Sequence, residues 1–117
     1  MVREQAIYAL QRLQIPEDPN DRIVKLYQFH LSSDPSYQVR KAVVSSIGRN
    51  FNTIPSIMER LWDSDERVRR HAYFQMSSYP VKTYKVAQRL TFLEQGLQDH
   101  SESVKKVIVA LILIANK

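Results

Sequence analysis

Apolar residues recur along this chain at helical spacing, and they do so four times in one register. Each copy opens on a valine followed at once by a basic residue, at Val2-Arg3, Val39-Arg40, Val68-Arg69 and Val104-Lys105. Four residues on stand Ala6, Val43, Ala72 and Ile108; eight on stand Leu10, Ile47, Met76 and Ile112. That spacing lays one apolar stripe along a helix, so each copy predicts an amphipathic helix with a shared core face. These helices are expected over roughly 2–14, 35–49, 64–78 and 101–115. Successive valines are 37, 29 and 36 residues apart, the span of one helical hairpin and not of a coiled-coil heptad.

The intervening segments carry the first helix of each hairpin. Residues 22–32 place Ile23, Leu26, Tyr27 and His30 on one face, and the short run 54–62 turns Ile54, Ile57, Met58 and Leu61 inward. That short helix accounts for the 29-residue step. The longer run 81–97 offers Val86, Leu90, Leu93 and Leu97 as its stripe. Prolines 16, 19, 35, 55 and 80 all fall at turns or helix starts, where a missing amide costs little. Three second helices have an aspartate five residues before the valine, at Asp34, Asp63 and Asp99. A short carboxylate accepts hydrogen bonds from the orphan amides of a helix start, so these aspartates are expected to cap. Pro35 suits a first helical position, and Asp63 with Glu66 and Asp99 with Glu102 have capping-box spacing.

The expected architecture is an all-α solenoid of about three and a half hairpins. Residues 1–15 form the second helix of a partial repeat, 16–50 a repeat, 51–79 a short repeat, and 80–117 a repeat with an atypical apolar end. Because the first helix lacks a hairpin partner and the last stands bare, the sequence reads as a stretch of a longer array, truncated at both ends. The run Val107 to Ala115 is apolar all round, but nine residues are too few to span a bilayer, which takes about 20. The N-terminus has Glu4 where a signal peptide is apolar.

Composition narrows the chemistry. The chain has 117 residues, 44% hydrophobic and 25% charged, with two glycines. It has no cysteine, which excludes disulfides, thiolate metal sites and cysteine nucleophiles. The histidines His30, His71 and His100 stand in separate repeats without a helical metal-pair spacing, and surface or boundary positions suit them. No carboxylate pair or phosphate-binding glycine loop is present, so no catalytic residue, metal or cofactor is expected. Tyr8, Tyr27, Tyr73, Phe74, Phe92 and Trp62 sit on or beside the apolar stripes and read as packing residues.

Seventeen basic residues against twelve acidic give a net charge of +5. The basic residues also fall in register. Lys41, Arg70 and Lys106 each lie two places after a valine, turned about 200° from it on the helix, and therefore outward. Stacked repeats would align them into a stripe able to follow a phosphate backbone without reading bases, widened by Arg49, Arg67 and Lys85. The residues one place after the valine lie at the border of the core. From there Arg3, Arg40, Arg69 and Lys105 can reach the aspartate of an adjacent repeat, forming a ladder through Asp34, Asp63 and Asp99.

The aspartate, the valine-arginine pair and the aliphatic residues that follow resemble a HEAT repeat. Longer strings are more specific. VREQAIYALQRLQ at 2–14, VRKAVVSSIGRN at 39–50 and AQRLTFLEQGLQDHSESVKK at 87–106 are similar to the N-terminal part of the condensin subunit 3 family. The resemblance implies a non-catalytic subunit of condensin, a complex that organises mitotic chromosomes with two SMC ATPases and a kleisin. It implies binding of the kleisin chain and of double-stranded DNA in a basic groove, independent of sequence. It also implies a place in the nucleus and on condensed chromosomes, with a cytoplasmic pool. His100 stands where the family pattern suggests arginine, and the tail after Val107 departs from an amphipathic helix. The competing expectations are a HEAT adaptor of transport or phosphatase type that binds only proteins, and a HEAT-like enzyme such as a metal hydroxylase or DNA glycosylase. The hydroxylase would need His-Glu motifs, which the chain lacks.

Overall fold

The computed structural model describes residues 2–77 and 86–115, and among these it contains seven α-helices and no strand. They are α1 (Val2–Leu10), α2 (Arg22–Ser33), α3 (Tyr37–Ser46), α4 (Ile54–Glu59), α5 (Glu66–Ser77), α6 (Val86–Gln98) and α7 (Glu102–Ala115). Two of them end in a 3-10 turn, Gln11–Leu13 after α1 and Arg60–Trp62 after α4.

The odd-numbered helices stack in order, α1 on α3, α3 on α5 and α5 on α7. The even-numbered helices cover them, with α2 on α3, α4 beside α2 and α5, and α6 on α7. One apolar core runs through the stack. It contains Val39, Val43 and Ile47 of α3, Val68, Ala72 and Met76 of α5, and Val104 and Ile108 of α7. These are the residues of the repeated register. Ile54, Ile57, Met58 and Leu61 of the short first helix are buried against them.

The first copy behaves differently, since Val2 is 81% exposed and Ala6 is also exposed, while Ile7 takes the core position. In later copies a first helix lies over the valine face, and none precedes α1 within this sequence. The helix turns Ile7 toward α2 instead, where the buried Tyr27 hydroxyl donates to the Ile7 carbonyl at 2.6 Å.

On α2 the buried face is Val24, Tyr27 and Leu31, and Leu26 stays largely outside. The expectation for α6 fails more completely: Leu90, Leu93 and Leu97 are 55%, 38% and 51% exposed. Two contacts set the rotation of this helix. Phe92 packs on the buried Tyr73 ring with centroids 5.2 Å apart. Gly96 approaches α7 so closely that a Cβ there would lie 2.2 Å from Cγ1 of Ile108. With Phe92 and Gly96 inward, the leucines turn out. Tyr8, Phe74 and Trp62 are also exposed, against the expectation that they pack. The start of the expected helix over 81–97 lies outside the described residues up to 85.

The helix starts depart from the capping expectation in a consistent way. The cap of α3 is Ser36, whose hydroxyl accepts from the Val39 amide, while Pro35 precedes the cap. Asp34 acts two residues earlier by accepting from the Ser36 amide at 2.9 Å. Asp63 accepts in the same manner from Asp65, and Asp99 from Ser101, at 2.9 and 2.8 Å. Each aspartate thus closes a turn that delivers the chain to its cap. Glu66 and Glu102 open their helices, one place past Asp65 and Ser101.

Candidate nucleic-acid interface

The turn geometry leaves each aspartate carboxylate pointing sideways into the joint between repeats. Arg40 donates from Nε and Nη2 to the two oxygens of Asp63, both at 2.9 Å, and from Nη1 to the Asp34 carbonyl at 2.9 Å. Arg69 repeats this one hairpin on. Its Nε and Nη2 reach Asp99 at 2.8 and 3.1 Å, and its Nη1 reaches the Asp63 carbonyl at 2.8 Å. Arg3 meets Asp34 more loosely, at 3.1 and 3.4 Å, from a side chain that is mostly exposed. Lys105 instead lies 3.6 Å from Glu102 of its own helix. Arg40 and Arg69 close joints and are not available to a ligand.

The carboxylates carry further donors. Burial works against the charge of Asp34, but the Ser36 amide, His30 at 3.0 Å and Arg3 outweigh it and hold its pKa below the ordinary value. The hydrogen bond to Asp99 raises the pKa of Arg69. Asp63 receives Arg60 at 2.9 Å in addition to Arg40.

Lys41, Arg70 and Lys106 are all exposed, on α3, α5 and α7 respectively, and none has an ion-pair partner among the described residues. The three residues expected to widen the stripe are placed differently. Arg67 is engaged by Asp65 through Nε at 3.1 Å and Nη2 at 2.9 Å. Arg49 is partly buried and donates to Gln75 across the joint. Lys85 lies outside the described residues.

A polar seam between α3 and α5 was not anticipated from the sequence. Tyr37, Lys41, Ser45 and Arg49 recur every fourth residue along α3 and its end, opposite Arg67, His71 and Gln75 on α5. The Arg67 guanidinium lies 3.6 Å from the Tyr37 ring centroid and donates to the Tyr37 hydroxyl at 2.8 Å. Ser45 Oγ and His71 Nε2 share a hydrogen bond, and Arg49 meets Gln75 one turn on. Burial lowers the pKa of His71, helped by the charges of Lys41 and Arg70. Both cations therefore stand close to this histidine. The four-residue spacing was the signal available in the sequence, but polar residues at that spacing ordinarily face water and join nothing.

At its far end the seam opens into a cleft of about 580 Å³ whose lining includes Arg12, Gln14, Ser45, Ser46, Gly48 and Arg49. Gln14 braces it: Nε2 donates to the Ser46 carbonyl at 2.6 Å and Oε1 accepts from the Gly48 amide at 2.8 Å. Among the described residues no three His, Asp or Glu side chains gather as a metal site, and no helix is long and apolar enough to cross a membrane.

No family model matches the chain. Over 108 residues, 92% of its length, it is 40% identical to condensin complex subunit 3 of Xenopus laevis. It is 38% identical to the human protein of that name over the same share. The Schizosaccharomyces pombe protein is 32% identical over 96% of the chain. The chain spans only 10%, 11% and 13% of these three relatives. Among solved structures it matches a chain of the S. pombe condensin Cnd3-Cnd2 subcomplex with a TM-score of 0.85 at 31% identity. That match covers 95% of this chain and 14% of the other. The resemblance to condensin subunit 3 and the all-α repeat fold are both borne out.

Proposed function

We propose that this chain is a segment of a non-catalytic condensin scaffold, which binds a kleisin-type subunit and holds the backbone of duplex DNA in mitotic chromosome condensation. The similarity to condensin complex subunit 3 supports the scaffold role, and the solved neighbour is a subcomplex of two condensin subunits. Within this reading the scaffold works with the SMC ATPases on condensed chromosomes in the nucleus, with a cytoplasmic pool.

The observation that carries the DNA part is the separation of two kinds of cation. Arg40 and Arg69 are consumed by the joints, whereas Lys41 and Arg70, next to them in sequence, are exposed and free of carboxylates. Cations held on a rigid surface without acidic partners release counterions when they meet phosphates, giving affinity without base recognition. Lys106 is exposed in the same way but stands apart from this pair, on α7.

Binding of a short labelled duplex, followed by fluorescence anisotropy over a series of salt concentrations, tests this. Replacing Lys41→Glu and Arg70→Glu together is expected to weaken binding by about tenfold or more and to reduce the logarithmic salt slope by about two. Unchanged affinity and slope would sink the DNA reading. Capture of partners separates the scaffold from a protein-only adaptor. Kleisin and SMC subunits are expected, while transport cargo or a phosphatase subunit would overturn the condensin reading.

A further inference from the structure

We propose that the phosphate track runs lengthwise along the α3–α5 seam and into the cleft beside Arg12, with Arg12 as a backbone contact, and not crosswise over the stack to Lys106. This rests on the DNA-backbone reading above and specifies its path and its residues.

Three rungs give the seam a fixed line. The stack of Arg67 on Tyr37, the Ser45–His71 hydrogen bond and the Arg49–Gln75 hydrogen bond tie α3 to α5 at successive turns. Lys41 sits on α3 one turn from both Tyr37 and Ser45, and Arg70 adjoins His71 on α5. Lys41 and Arg70 are exposed, so two solvent-facing cations flank a side chain pinned by its own hydrogen bond. Asp65 is the acid at the seam's entrance, and Arg67 already occupies both of its oxygens. Beyond that point the seam presents Lys41, Arg70, His71 and Arg49 without a carboxylate in contact.

The cleft continues the line. Arg12 and Arg49 hold the same place in consecutive repeats, ten residues after Val2 and Val39, and both line the cleft. Arg12 is exposed and has no ion pair among the described residues. The brace through Gln14 fixes the turn that carries Arg12 against the end of α3.

The dimensions agree. From Lys41 to the end of α3 at Ser46 the rise is about 7.5 Å at 1.5 Å per residue, and a strand of duplex carries one phosphate per about 3.4 Å of axis. The seam is therefore long enough to face about two consecutive phosphates of one strand. Lys106 lies off this line, on α7.

The test measures duplex binding of the 117-residue chain as single variants, with helical content checked by circular dichroism. Arg12→Glu is expected to weaken binding about fivefold and lower the salt slope by about one, whereas Lys106→Glu changes affinity less than about twofold. If Arg12→Glu binds as the parent does while Lys41→Glu with Arg70→Glu still weakens binding, the lengthwise track is wrong and the DNA reading survives. A loss at Lys106→Glu as large as at Arg12→Glu also overturns the track, in favour of a crosswise one. If the Lys41 and Arg70 reversal has no effect either, the DNA reading falls with it.

Discussion

Arg40 shows how much one side chain decides in this fold. Its guanidinium holds the Asp63 carboxylate of the next repeat and the Asp34 carbonyl of its own, and both partners of the ion pair are nearly buried. Removing one member of a buried pair strands the other charge. Arg40→Ala is therefore expected to lower unfolding stability by about 3 kcal/mol in urea titration. Arg3→Ala, at an exposed pair, should cost under about 1 kcal/mol; equal losses would contradict the burial argument. Sequence spacing was enough to put aspartate and arginine on facing sides of a joint. It misassigned the turn, because capping rules look for a helix beginning at the acid and here Ser36 begins it two residues later. The outward direction of Lys41 and Arg70 was legible from helix geometry alone. The engagement of Arg67 and Arg49 was not, since their partners Tyr37 and Gln75 lie in a neighbouring repeat or depend on its rotation.

Among the elements, α6 shows best where pattern reading stops. Leu90, Leu93 and Leu97 have ideal spacing for a core stripe, yet the helix seats itself by Phe92 and Gly96. Periodicity identifies a helix and two possible faces. It does not weigh a stripe of leucines against one glycine that lets two backbones close in. Gly96→Ala is expected to destabilise the chain by about 2 kcal/mol despite alanine's better helix propensity, because the new methyl meets Ile108. Pairing it with Ile108→Ala should cost less than the two single losses added together, as thermal melts of the four proteins would show. Strict additivity would mean that the two residues do not touch. Gly48 is the second such place, with Pro16 Cγ 2.1 Å from where its Cβ would be. Both glycines serve close approach, a role that a search for phosphate loops passes over.

For the molecule as a whole, acid should act in two stages. His71 has a pKa below its ordinary 6.5 in the fold, because burial and the Lys41 and Arg70 charges resist its protonation. The unfolded chain takes up that proton first, so stability declines as pH falls through about 6.5 toward the folded value. Asp34 has the opposite history: its pKa is lowered in spite of burial, by Ser36, His30 and Arg3. Its contribution is present above 3.8 and is lost as pH falls through the lower folded value. Urea midpoints measured against pH should therefore fall first gently and then further, and His71→Gln should remove the gentle stage alone. A variant that keeps that stage would place its origin elsewhere. The stacking of hairpins was readable from four valines; the seam and cleft were not, because they belong to two repeats at once and to neither sequence alone.

The joints close over chain separations of 31, 23 and 30 residues, each by a guanidinium Nε and Nη2 on an aspartate carboxylate. What stays constant is the short step from each aspartate to the valine that follows it, five residues every time. The vertebral joint is thus written in a few residues, while the rib between joints is free to be twelve helical residues, as in α2, or six, as in α4. Such a spine can lengthen or shorten a rib without moving the joints that its vertebrae carry.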